Sequence, residues 1–175
     1  MIIDSHCHAW GTWPYNPPVP DPESRGRVEQ LLHEMDVNGV DQALVVCAQI
    51  EHNPENNAYV AAQVARFPGR LHQLVDVDSV WSSTHHTPGA AARLRAIADR
   101  WPIKGFTHYL SRDDDGEWLT SDDGLELFQT AADLGLSAEE TRLVEVYYKR
   151  FVRAGAKLTE AEKQKIRVLN EEQST

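Results

Sequence analysis

Two periodicities alternate along the first three quarters of the chain. Short runs of strand character are Ile2-Ile3-Asp4-Ser5-His6-Cys7-His8, Gln42-Ala43-Leu44-Val45-Val46-Cys47-Ala48, Leu71 to Val77, and Lys104-Gly105-Phe106-Thr107-His108-Tyr109. Each is followed by a stretch with helical spacing of apolar positions. In the first, Arg27 to Asn38, residues Val28, Leu31, Leu32 and Met35 fall on one strip, and Gly39 supplies the stop. Asn56 to Phe67 predicts a second helix ended by Pro68-Gly69, Gly89 to Arg100 a third, and Asp122 to Leu134 a fourth, stopped by Gly135. The second strand is almost continuously apolar, which predicts cover on both faces. Strand then helix, repeated in this order, predicts an α/β fold with a parallel sheet and right-handed crossovers. About four such units form half a barrel or a small doubly wound sheet. A complete (β/α) barrel takes about 250 residues, and this chain has 175.

The pattern breaks near Ser137. Every histidine, tryptophan, proline and aspartate lies within residues 1–137. Beyond it, Ser137 with Glu140 and Thr159 with Glu162 form capping boxes. Leu143, Val144, Tyr147, Tyr148, Phe151 and Ala154 make a broad apolar stripe ended by Gly155. These signals predict two domains, a (β/α) half-barrel over 1–137 and a helical pair over 138–175.

Charge narrows the partners. The formal net charge is −10, from 17 Lys+Arg against 27 Asp+Glu, which disfavours a nucleic-acid backbone. The opening residues carry neither a basic n-region nor a long apolar run, and the 2 cysteines, Cys7 and Cys47, have no CxxC spacing. The expectation is a cytoplasmic protein that does not engage a membrane.

His6 and His8 are the sharpest chemical feature. At i and i+2 of a strand they share a face, together with Asp4, so both imidazoles can reach one divalent metal while Asp4 orients a ligand or closes the strand end. An isolated HxH also suits a strand with no metal. His108 lies near the end of the fourth strand, where barrel active sites are built, and is a candidate pocket residue. Trp10 and Trp13, in an aromatic, proline-rich loop after the first strand, either cover a pocket above the histidine pair or pack on the rim. His85 and His86 lie in a loop after the third strand that can approach a site but reads more readily as exposed, with His52 similar, and His33 and His72 read as structural or surface groups. Asp76 and Asp78 have the same-face spacing that can support acid–base chemistry, as well as the placement of a solvated strand end, with Glu51 nearby. Asp113-Asp114-Asp115 reads as a turn or a solvated face. GxGxxG, P-loop, GxSxG and HExxH motifs are absent from the sequence.

With Ile2-Ile3-Asp4-Ser5-His6-Cys7-His8, the segment from Leu32 to Val46, Asn57-Ala58-Tyr59-Val60, Phe67-Pro68-Gly69-Arg70-Leu71 and Ile103-Lys104-Gly105-Phe106, residues 1–137 resemble the N-terminal half of an amidohydrolase-related protein. The branch includes metal-dependent lactonases and decarboxylases. The resemblance implies a TIM barrel with zinc or manganese at the C-terminal ends of the strands, His6 and His8 as the first-strand ligand pair, and hydrolysis of a small lactone, ester or amide by metal-activated water. The alternatives are decarboxylation of a small carboxylated metabolite, or an inactive half-barrel that serves as an interaction module. The family's later ligands, including an aspartate that acts as general base, fall beyond the resembling stretch, and no histidine or aspartate follows residue 133. A half-barrel leaves a sheet edge and an apolar face uncovered, which a homodimer of two halves, or the Tyr147/Phe151 helix, can close. The segments Ala138 to Val144, Tyr148 to Ala156 and Leu169 to Glu172 resemble instead a helical stretch of the thimet-type oligopeptidase and peptidyl-dipeptidase family, without its zinc motif.

Overall fold

The computed structural model describes residues 1–15 and 19–135. The helical pair expected over 138–175 lies outside them. Four parallel strands, β1 (Ile3–Cys7), β2 (Gln42–Val46), β3 (Leu71–Asp76) and β4 (Gly105–Thr107), stand side by side in chain order. Helices α2 (Val28–Asn38), α3 (Asn56–Arg66), α4 (Ala90–Arg100) and α5 (Asp122–Asp133) alternate with them, each within a residue or so of the stretch its apolar spacing marks out. Two short elements escape the periodicity: a single helical turn, α1 (Pro22–Arg25), and a 3-10 turn at Glu117–Thr120. Both are shorter than the window that periodicity needs. Gly39 ends α2 at φ 67°, and Ser121 caps α5 by accepting the Gly124 N–H.

Register divides the sheet into two faces. Ala43, Val45, Leu71 and Val75 are fully buried under the helices. One group, with Val28, Met35 and Val60, forms the core over β1–β3, and another, with Leu94, Leu127 and Ala131, forms the core over β3 and β4. On the opposite face Leu44 pairs with His72 and Val46 with Leu74; Val46 is buried and the other three are half-buried. Cover on both faces of β2 was the expectation, and it holds at Val46 but only partly at Leu44. Leu44 and Leu74 belong to neither core cluster.

The C-terminal edge of the sheet is fastened by buried polar side chains. The Asn56 amide accepts from Ala48 N–H and donates to Ala9 C=O, joining the ends of β1 and β2 at the start of α3. Asn57 exchanges two hydrogen bonds with the Asp76 backbone. Asn53 does the same with the Thr12 backbone. Buried polar groups of this kind must find partners, and here the partners are the strand ends and loops that carry the candidate site. Among the described residues, no helix is long and apolar enough to cross a membrane.

Candidate metal centres at the C-terminal edge of the sheet

His6 is the last residue but one of β1, and His8 lies just beyond its end. Their Nε2 atoms are 3.3 Å apart, with the rings edge to face. His8 Nδ1–H donates to Val46 C=O at 2.7 Å, which leaves the Nε2 lone pair of the neutral ring pointing at His6. Burial pushes the His8 imidazole below its ordinary range, the neighbouring His6 adds to this, and the Val46 carbonyl opposes it. Trp10, 4% exposed, stacks on the His8 ring at 5.4 Å. Tyr15 meets both Trp10 and Trp13 edge to face. The aromatic loop therefore lies directly against the histidine pair, pinned by Trp10 N–H to Gly26 C=O and Trp13 N–H to Pro22 C=O.

Asp4 does not join that row. Pairing jumps from Asp4–Ala43 to Cys7–Val45, so β1 holds one more residue than β2 between these points. Such a bulge breaks simple alternation. The Asp4 carboxylate accepts the His6 backbone N–H at 3.0 Å.

A second histidine group sits at the ends of β3 and β4. One ring nitrogen from each of His85, His86 and His108 lies within 4.8 Å of the others. His108 Nδ1–H donates to Val77 C=O and His85 Nδ1–H to Asp78 C=O, both at 2.8 Å. Trp118, from the 3-10 turn, stacks on His86 and His108. Burial, with mutual repulsion inside the cluster, lowers the pKa of His86 and His108. His85 and His86 are thus half-buried rather than an exposed loop. The cause is Asp78, whose carboxylate accepts from Thr84 Oγ1 at 2.6 Å and from Arg93 Nε at 2.7 Å, folding the loop back onto β4.

The remaining carboxylates are committed. Asp76 accepts from Gln49 N–H at 2.6 Å and from the Ser79 hydroxyl; burial raises its pKa, and these bonds oppose the shift. Neither Asp76 nor Asp78 is free for acid–base work, since all their oxygens hold loops in place. Glu51, His52 and His33 are exposed, and His72 bonds to Gln42 Oε1 at 3.0 Å. Asp114, within the expected turn, accepts from Gly116 N–H and turns its other oxygen toward His86 Nε2 at 3.6 Å and His85 Nε2 at 3.8 Å. Cys7 and Cys47 are free thiols pushed up to about 12, chiefly by burial. Neither is poised as a nucleophile.

No protein-family profile matches the chain. Four parallel strands alternating with helices, with histidines at their C-terminal edge, define an α/β fold. The crystal structure of a probable 2-pyrone-4,6-dicarboxylic acid hydrolase from Acinetobacter baumannii, with citric acid bound, superposes on it with a TM-score of 0.53 and 16% identity. The superposition covers 78% of this chain and 47% of that one, and at such identity it speaks for the fold alone. A separate likeness is to dipeptidyl carboxypeptidase of Escherichia coli strain K12, 53% identical over 49 residues, and to that of Salmonella typhimurium strain LT2, 47% identical over 49 residues. The chain spans 28% of its own length and about 7% of theirs in these matches.

Proposed function

We propose that residues 1–137 form the metal-bearing half of an amidohydrolase-type hydrolase that acts on a small lactone, ester or amide. The observation that carries this reading is the His6–His8 pair, with Nε2 atoms 3.3 Å apart and His8 held by Val46 C=O. A tetrahedral zinc with bonds of about 2.0–2.1 Å needs ligand atoms about 3.3 Å apart. Ligating histidines also usually donate their other ring N–H to a carbonyl or carboxylate. The residues present therefore fit two positions of a divalent zinc or manganese site. The metal supplies Lewis acidity and lowers the pKa of water near it.

This chain's own groups have separate tasks. Val46 C=O fixes the His8 tautomer, burial keeps that ring neutral and ready as a ligand, and Trp10 shields it from bulk water. Asn56 fixes the β1 and β2 ends on which the pair stands. The inactive half-barrel is the second reading, favoured by one observation: among the described residues, no third metal-ligating side chain groups with His6 and His8. A second copy of the chain, docking on the half-buried Leu44/Leu74 face and the open strand edges, would supply the missing wall. Sedimentation should then show a dimer, and a monomer that retains metal-dependent turnover would remove this part of the reading.

The test is hydrolysis of a panel of small lactones and esters by chelator-treated protein, with zinc or manganese added back, alongside a His6→Ala/His8→Ala variant. Metal-stimulated turnover that the double variant loses is the expected result. Turnover that is unaffected by chelator or by the variant would overturn it.

A further inference from the structure

We infer that His85, His86, His108 and Asp114 form a second, separate metal site, a closed structural centre for zinc. It owes nothing to the His6–His8 pair. The sequence spreads its ligands over the loop after β3, the end of β4 and the turn before the 3-10 element, and the fold gathers one nitrogen from each histidine within 4.8 Å.

Three observations support a cation here. First, the Nε2 atoms of His86 and His108 are buried and have no hydrogen-bond partner. Buried polar atoms left without partners are uncommon and call for an explanation. A cation satisfies these lone pairs at once. Second, His85 and His108 each spend Nδ1–H on a backbone carbonyl, Asp78 and Val77, so both rings present Nε2 as a neutral ligand in a fixed orientation. Third, one Asp114 oxygen faces the Nε2 atoms of both His85 and His86 at 3.8 and 3.6 Å, while its other oxygen is anchored by Gly116 N–H. These distances exceed the roughly 3.3 Å edge of a tetrahedral zinc shell, and the three imidazoles stack with only 18–23° between their planes, so closure needs the rings to tilt toward one point as well as draw together.

The donor set selects the ion. Three imidazoles with one carboxylate suit zinc or another late first-row metal rather than magnesium or calcium, which prefer all-oxygen shells. Four protein ligands leave no open position, as in structural rather than catalytic zinc sites. The centre would tie the β3–α4 loop, the end of β4 and the 113–116 turn together. His86 sits at φ 54° and Asp78 at φ 51°, the non-glycine residues of left-handed conformation among those described. Strain of this kind persists only where surrounding contacts enforce it, and a metal tie accounts for it at His86.

Cobalt(II), a spectroscopic stand-in for zinc, tests the site. The chelator-treated full chain bearing His6→Ala/His8→Ala is titrated with cobalt, then with competing zinc. The inference expects one equivalent with the intense visible bands of tetrahedral cobalt, displaced by zinc, and a rise in the thermal unfolding midpoint with either metal. Adding His86→Ala should weaken binding by more than ~100-fold, beyond what loss of a supporting group costs, and Asp114→Asn should weaken it less. His52→Ala, at an exposed histidine, should change nothing. Circular dichroism of each metal-free variant separates lost ligation from lost folding. If His86→Ala does not fold, His86→Gln serves in its place. Absence of tetrahedral cobalt from the His6→Ala/His8→Ala protein, or binding indifferent to His86 and Asp114, overturns the inference. A His85/His86/His108 site that persists while the native His6–His8 pair binds nothing would instead refute the proposed hydrolase centre and leave this one standing.

Discussion

Asp78→Ala should be among the most damaging single changes in the described part of the chain. The carboxylate is 6% exposed and accepts from Thr84 Oγ1 at 2.6 Å, Arg93 Nε at 2.7 Å and Arg93 Nη2 at 2.6 Å. Removing one partner of a fully buried ion pair costs about 3–5 kcal/mol. The Arg93 side chain is 32% exposed, and it keeps bonds to Pro88 and Thr87 C=O, so part of its charge can be rehydrated. That lowers the electrostatic loss to about 2–3 kcal/mol. Alanine at the φ of 51° that Asp78 occupies adds about 1 kcal/mol of backbone strain. The expected total is about 3–4 kcal/mol, or roughly 10 °C in Tm for a chain of this size. Asp78→Asn, which tolerates that φ and can still bond Thr84, should lose about half as much. Urea unfolding measures both, and a double-mutant cycle with Arg93→Met should return a coupling of about 1–3 kcal/mol. A loss below about 1 kcal/mol for Asp78→Ala, or strict additivity with Arg93→Met, would refute the idea that this pair folds the loop.

Three further outcomes follow from the packing. Leu127→Ala, at a fully buried position between α5 and the β3–β4 core, should cost about 2–5 kcal/mol in denaturant unfolding, and much less would mean that α5 is not seated there. Gly124→Ala would drive a methyl group into the Trp118 carbonyl and the Leu119 backbone, so the 3-10 turn must move. A cost of about 1–3 kcal/mol and altered tryptophan emission are expected, and an unchanged spectrum would argue against the close approach. The Cys47 thiol sits at about 12 in the folded chain against an ordinary 9.0. Its contribution to stability is therefore complete below pH 9 and lost as the pH rises from 9 toward 12. Cys47→Ala should flatten that alkaline decline, whereas an unchanged slope would assign it to other groups.

Strands, helices and their order were legible because each is long enough to show its period, from Val28/Leu31/Leu32/Met35 in α2 to the apolar run of β2. The pairing of His6 with His8 was legible for the same reason, since two residues of separation decide the face. Asp4 departs from that row because a bulge adds a residue inside β1, and no local pattern marks it. His85 and His86 read as solvent loop residues because the force that folds them inward comes from Asp78 and from Arg93, fifteen residues later. The asparagines at 53, 56 and 57 passed unremarked as site supports, although two adjacent asparagines opening a helix after a buried strand are a usable sign of edge clamping. Leu44 was expected to be covered because an apolar strand run reports hydrophobicity, not how many layers the rest of the chain can supply.

The most direct test of the hydrolase reading is anomalous diffraction at the zinc or manganese edge from crystals of the full chain grown with that metal. The account predicts a peak about 2.0–2.2 Å from both His6 Nε2 and His8 Nε2, with His8 Nδ1–H still on Val46 C=O. A map with no peak there, and the two imidazoles simply hydrogen-bonded to each other at 3.3 Å, would contradict it.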